Sequence, residues 1–106
     1  MKSKTVVKYD LVGNFFEGLA CVNLNGKWGF INPQNQIVIP IIYDNIGYFY
    51  EGLAGVRLNN KWGFINPQDQ VVIPIIYDGV DNFYKGHSIV KFKGISGVIS
   101  RTRYTS

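Results

Sequence analysis

"KWGFINPQ" fills residues 27–34 and returns, residue for residue, at 61–68. An exact octapeptide built around the scarce tryptophan marks a copied structural unit rather than chance. Outward from it, Tyr-Asp stands at Tyr9-Asp10, Tyr43-Asp44 and Tyr77-Asp78, a period of 34 residues. Laid over one another, residues 9–42 and 43–76 differ at only nine of 34 positions. A third unit begins at Tyr77 and drifts: "GISGVIS" at 94–100 replaces "GKWGFIN", with Ser96 in the tryptophan's place. The organisation expected is one domain over 1–106. It comprises an N-terminal cap strand 3–8, repeat 1 at 9–42, repeat 2 at 43–76 and a degenerate third repeat or C-terminal cap at 77–106. End copies depart from consensus where a stack meets water.

Each repeat carries prolines and several glycines, and its apolar residues alternate instead of recurring at three and four, which argues strand against helix. In "LAGVRLNNKWGF", Ala54, Val56 and Leu58 point one way while Leu53, Gly55 and Arg57 point the other. Asn25-Gly26 and Asn59-Asn60 suit the positive φ of a type I′ hairpin turn. "KWGFI" is the second strand, "NPQNQ" or "NPQDQ" a turn with proline at its second position, and "IVIP" or "VVIP" a third strand ending at Pro40 or Pro74. The fold class predicted is all-β: tandem three-stranded antiparallel meanders stacked into a small curved repeat domain. Trp28 and Trp62 are expected to anchor its core, with Gly29 and Gly63 allowing a close backbone approach or a bulge.

Composition agrees. The 106 residues suit one small domain, and 46% hydrophobic with 17% charged residues mark an ordered globular protein. No apolar run approaches the roughly 20 residues of a membrane span, and "MKSKTVVKYD" holds no hydrophobic signal core, so a cytoplasmic protein without membrane contact is expected. Cys21, the single cysteine, admits no intrachain disulfide. The net charge of +4 is uneven: no acid follows Asp81, whereas Lys85, His87, Lys91, Lys93, Arg101 and Arg103 do.

The ordered pattern Lys-Trp-Gly-Phe-Ile-Asn (residues 27–32 and 61–66), a turn, an "IVIP" strand, Tyr-Asp, then Phe-x-Glu-Gly-Leu-Ala-x-Val resembles the WG (or KWG) repeat found mainly in bacterial proteins. The resemblance covers almost the whole chain. It implies short all-β repeats in tandem, without an established enzymatic activity. The chain differs in comprising about two and a half copies, where such arrays often run longer, and in lacking the third tryptophan.

Reactive chemistry is sparse. His87, the only histidine, has Leu19 and Leu53 as counterparts. Cys21 lies on a predicted strand, and no Cys or His pair stands at metal-ligand spacing. Asp10, Asp44 and Asp78 recur once per repeat and are read as caps on the turn after tyrosine. Glu17 and Glu51 are read as turn or inter-repeat partners, replaced by Lys85 in the third unit. No phosphate-binding glycine loop is present. The expectation is a non-enzymatic protein with no metal and no cofactor.

Aromatic residues carry the stronger signal. Phe15-Phe16, Phe49-Tyr50 and Phe83-Tyr84 match across the repeats, with Tyr48 added in the middle one. Adjacent residues of an extended segment point opposite ways. The constant Phe15, Phe49 and Phe83 are therefore assigned to the core, and Phe16, Tyr48, Tyr50 and Tyr84, with Arg57, to a contact surface for another protein. The alternative use of these rings is to cover the seam between repeats. The leading function is a protein-interaction module, in a specialised form a small stand-alone inhibitor or adaptor such as a phage or mobile element encodes. The other function considered is nucleic-acid binding through Lys85, Lys91, Lys93, Arg101 and Arg103. Lys91 and Lys93 would share one strand face, with Tyr104 following on the tail. Open strand edges make a homodimer a further expectation.

Overall fold

A computed structural model describes residues 8–101. Three antiparallel sheets follow one another along the chain, forming an array with extents of 56 × 26 × 19 Å. The first sheet comprises β1 (Leu11–Phe16), β2 (Leu19–Leu24), β3 (Lys27–Ile31) and β4 (Ile37–Tyr43), hydrogen-bonded in that order. The second repeats it with β5 (Asn45–Ile46), β6 (Ala54–Leu58), β7 (Lys61–Ile65) and β8 (Val71–Tyr77). The third has β9 (Gly79–Val80), β10 (His87–Phe92) and β11 (Ile95–Ser100), in the order β11-β10-β9. No sheet closes into a barrel, and no described helix is long and apolar enough to cross a membrane.

The meanders are all-β tandem units as expected, with an addition. The segment joining one unit to the next contributes a further strand, since Asn45 and Ile46 pair with Arg57 and Val56. The third strand also does not stop at proline: β4 runs through Pro40 to Tyr43, and β8 through Pro74 to Tyr77. Both are edge strands, so the missing N–H falls where no neighbouring strand needs it. Around the proline the register against β3 slips from Trp28↔Tyr43 to Phe30↔Ile39. Gly29 sits in that bulge, where a Cβ would lie 2.5 Å from the Ile39 carbonyl oxygen and 2.9 Å from Ile41 Cα. Gly63 repeats the arrangement, 2.6 Å from the Ile73 oxygen. Glycine after tryptophan is thus required by backbone contact.

Alternation sorts the middle sheet's side chains between two cores. Ala54, Val56 and Ile65 join Phe30, Ile39 and Phe49 between the first and second sheets. Leu53, Phe64 and Ile73 join Phe83 and Val90 between the second and third. The deepest aromatic contacts cross these seams, with Phe30 and Phe49 ring centres 4.7 Å apart and Phe64 and Phe83 likewise 4.7 Å.

Two core assignments need correction. Trp28 and Trp62 are half-buried and flank the cores, whose centres are Phe30 and Phe64. Each indole is set near the hairpin end of its strand, and so large a side chain seldom disappears completely. Phe15 is 48% exposed, against 1% for Phe49 and 3% for Phe83. Its equivalents bury themselves against Phe30 and Phe64 of the preceding repeat. Of the cap strand assigned to 3–8, residues 3–7 lie outside the described part and Lys8 belongs to no strand.

Candidate functional site

Two-residue turns set the geometry of the seams. Glu17-Gly18, Glu51-Gly52 and Lys85-Gly86 all have φ between 51° and 80°, positive at both central positions as in a type I′ hairpin. In this shape the two turn amides point outward together and can hold an anion. Glu17 accepts from Glu51 N and Gly52 N at 2.7 and 2.9 Å, and Glu51 accepts from Lys85 N and Gly86 N at 2.5 and 2.8 Å. Each glutamate thus clamps the turn one repeat onward. The inter-repeat partnership expected of Glu17 and Glu51 takes this form.

At the opposite end of the sheets each Tyr-Asp aspartate holds a hairpin tip of its own repeat. Asp10 accepts from Asn25 N, Asp44 from Asn59 N and Asp78 from Lys93 N, at 2.8, 3.1 and 2.8 Å. The amide bonded lies 15 residues onward, not in the turn after tyrosine. Asp44 and Asp78 also take the ammonium of the preceding KWG lysine, Lys27 and Lys61, the latter at 2.6 Å. These lysines, and then the turn amides, hold both carboxyls below the usual carboxylate range. Tyr43 adds a further link, donating its hydroxyl to Asp69 Oδ1 at 2.7 Å. Burial and then Asp69 push the Tyr43 phenol well above its ordinary value.

Beside the Glu17 clamp lies an aromatic cluster. Phe16 ends β1, and Tyr48 and Tyr50 flank the buried Phe49 before the Glu51-Gly52 turn. Phe49 turns inward, and Tyr48 packs against the edge of the same core. The Phe16 ring lies 4.5 Å from Tyr48 and 5.9 Å from Tyr50, and all three remain half-buried. Gly13 makes room: a Cβ there would be 3.5 Å from Tyr48 Cε1 and 2.5 Å from Cys21 Sγ. That role was missed in the sequence, where the signal was the glycine shared by positions 13 and 47.

The other contact candidates stand apart. Arg57 sits toward the far end of β6, half-buried, its Nε without a hydrogen-bond partner and its charge helping to depress Asp44. Tyr84 is 71% exposed on the third repeat, with Lys85 Nζ 5.4 Å from its ring centre. Depressions of about 340 and 360 Å³ mark the third repeat, the first bordered by Asp78, Asp81 and Lys91, the second by Tyr84, His87 and Val98.

The basic residues do not form one track. Lys93 falls in the β10–β11 turn at φ 52°, not on a strand face with Lys91, and its ammonium lies 5.3 Å from the Phe92 ring centre. Asp78 lies beside both, bonding the Lys93 amide and feeling the Lys91 charge. Arg101 and Lys85 are at the other end of the sheet, where the Arg101 guanidinium donates to the Glu51 carbonyl. Arg103 and Tyr104 lie outside the described residues.

Cys21 is buried in the first sheet, and burial raises its thiol above the ordinary value. His87 is exposed in the third, its Nδ1 2.9 Å from the Lys85 carbonyl oxygen. The second sheet stands between them, so the two do not meet. Among the described residues no three His, Cys, Asp or Glu side chains converge as metal ligands.

The family model for the WG containing repeat matches the chain three times, over residues 7–28, 28–62 and 62–94. No curated protein and no solved structure matches it.

Proposed function

The chain belongs to the WG containing repeat family, and we propose that it acts as a non-enzymatic module that binds another protein through the aromatic seam of its first two repeats. The observation that carries this reading is the cluster of Phe16, Tyr48 and Tyr50, three adjoining rings that stay half-buried while the intervening Phe49 is taken into the core. Such rings combine apolar area with polar edges and lose little entropy on binding. The Glu17 clamp joins the turn after Phe16 to the turn after Tyr50, so the cluster is presented in one arrangement. An inhibitor or adaptor would use the same surface. The nucleic-acid reading draws less support, because Lys91 and Lys93 flank the Asp78 carboxylate and Lys85 lies at the other end of the sheet.

The test is capture from nuclease-treated lysate by the tagged chain and by a Tyr48→Ser/Tyr50→Ser variant whose circular dichroism matches the wild type. A protein retained by the wild type and lost by the variant supports the reading. Equal capture by both refutes this surface, and binding that disappears with nuclease transfers the function to the basic residues.

A further inference from the structure

Glycine follows an asparagine or aspartate at two places in the chain, Asn25-Gly26 and Asp78-Gly79. In such a pair the glycine amide nitrogen can close a five-membered imide on the preceding side chain, because glycine has no Cβ to block the approach. The fold puts the two pairs in opposite circumstances. Asn25 and Gly26 are exposed and form the whole two-residue tip between β2 and β3, with φ 53° and 84°. A Cβ on Gly26 would meet nothing within 4 Å, and the Gly26 N–H reaches Asn23 Oδ1 at 3.3 Å, longer than the usual hydrogen bond. Asp78-Gly79 is tied down. Asp78 Oδ1 meets Lys61 Nζ at 2.6 Å and its Oδ2 accepts from Lys93 N at 2.8 Å, while Gly79 pairs with Lys91 in the sheet. Ring closure at an aspartate expels water from a neutral carboxyl group. Lys61, and then the Lys93 amide, hold this carboxyl ionised and below the usual carboxylate range.

We propose that Asn25 is a spontaneous modification site, deamidating through a succinimide with Gly26 while Asp78-Gly79 stays intact. Gly26 N gives up its proton and attacks Asn25 Cγ. The N–Cγ bond forms, the Cγ–Nδ2 bond breaks, and Nδ2 leaves with that proton as ammonia. Water then opens the imide at either carbonyl. One opening leaves an aspartyl residue at 25, the other an isoaspartyl residue whose backbone runs through Cβ and Cγ, and both add a carboxylate at the tip. The equivalent tips lack what this chemistry needs. Asn59 is followed by Asn60, whose side chain crowds the attacking amide, and Lys93-Gly94 has no carboxamide. The consequence follows from the bonds at the first tip. Asp10 Oδ2 accepts from Asn25 N at 2.8 Å, so a new carboxylate on residue 25 faces one already there. The isoaspartyl form adds a backbone atom to a turn that fits two residues between Leu24 and Lys27, which pair across it. The Lys27 ammonium bridges Asp44 of the next repeat, so the change reaches the first seam. The site involves none of Phe16, Tyr48 and Tyr50 and does not rest on their role.

The test is incubation of the folded chain in mildly alkaline buffer until the same pair has converted in a chain unfolded in urea, followed by proteolysis and fragmentation mass spectrometry. The mass gain of exchanging NH2 for OH is expected at Asn25 and not at Asn59 or Asn60. Labelling by an isoaspartyl methyltransferase is expected at residue 25 and not at residue 78. An unmodified Asn25 in the folded chain overturns the proposal, and so does equal gain at Asn25 and Asn59 or isoaspartate at residue 78. Asn25→Lys tests the consequence, since it reproduces the Lys93-Gly94 tip and has no carboxamide to lose. Aged wild-type chain is expected to melt below fresh chain, whereas aged Asn25→Lys melts with its fresh form. Equal losses in both overturn the loosening of the first seam.

Discussion

Phe15 and Phe49 occupy the same place in successive repeats and differ in burial, so truncating each in turn separates residue type from seam. Phe49 is 1% exposed and stacked on Phe30. Its replacement by alanine removes a buried ring and leaves a sealed cavity, a loss of about 3–5 kcal/mol. Phe15 is 48% exposed, so about half of the roughly 1.5–3 kcal/mol of a buried ring is at stake, near 1 kcal/mol, and the vacated space opens to water. Urea unfolding followed by the fluorescence of Trp28 and Trp62 is the assay. With m near 1.5 kcal/mol/M, Phe49→Ala should lower the midpoint by about 2–3 M and Phe15→Ala by less than about 1 M. A reduced m in Phe49→Ala would mark the first and second repeats melting apart, as nearest-neighbour coupling requires. Equal midpoint shifts for the two variants would refute the assignment of the buried phenylalanine to an inter-repeat contact.

Gly63→Ala should destabilise by about 1–3 kcal/mol because its Cβ would meet the Ile73 carbonyl oxygen at 2.6 Å, whereas Gly97→Ala, with nothing within 4 Å, should be near neutral. Thermal melts of the two variants check this, and equal melting temperatures would remove the close-approach explanation. Tyr43 gives an alkaline signature. Its folded-state phenol titrates above the unfolded value because burial and Asp69 disfavour the phenolate. The contribution is therefore complete below pH of about 10 and is lost as pH rises above it. Tyr43→Phe should flatten the decline of stability above pH 10, and an unchanged slope would exclude Tyr43 as its source.

What could be read along the chain was whatever repeats within it. The alternation from Leu53 to Leu58 gave both strand and facing, and the structure sends Leu53 into one core and Ala54 and Val56 into the other. The proline rule misplaced the end of the third strand because sequence does not say which strand is an edge. Pro40 would break a central ladder and is tolerated in β4. Phe15 was misassigned for a related reason: local sequence gives it the same face as Phe49, but the burial of Phe49 comes from Phe30, 19 residues earlier, and Phe15 stacks on no such ring among the described residues. Lys93 left the expected basic face because it occupies a type I′ turn, a position the lysine at 85 also takes. The candidate cluster was legible in part. Phe16, Tyr48 and Tyr50 come together, but Arg57 stands toward the far end of β6 and Tyr84 on the next repeat, placements that no local pattern encodes.

The clamps run in one direction, and the third repeat keeps only one half of them. Every seam uses a carboxylate and an ammonium from the earlier repeat and turn amides and a carboxylate from the later one. A repeat without the glutamate and lysine can still receive through its turn amides and aspartate. The third repeat keeps the receiving set, Asp78 and the Lys85-Gly86 amides, and discards the giving set, with Lys85 for glutamate and Ile95 for lysine. Lys85 goes further than simple loss: an ammonium presented to the paired amides of an incoming repeat meets their positive ends. At that turn the substitution therefore opposes electrostatically the contact that Glu17 and Glu51 make with the turns one repeat onward.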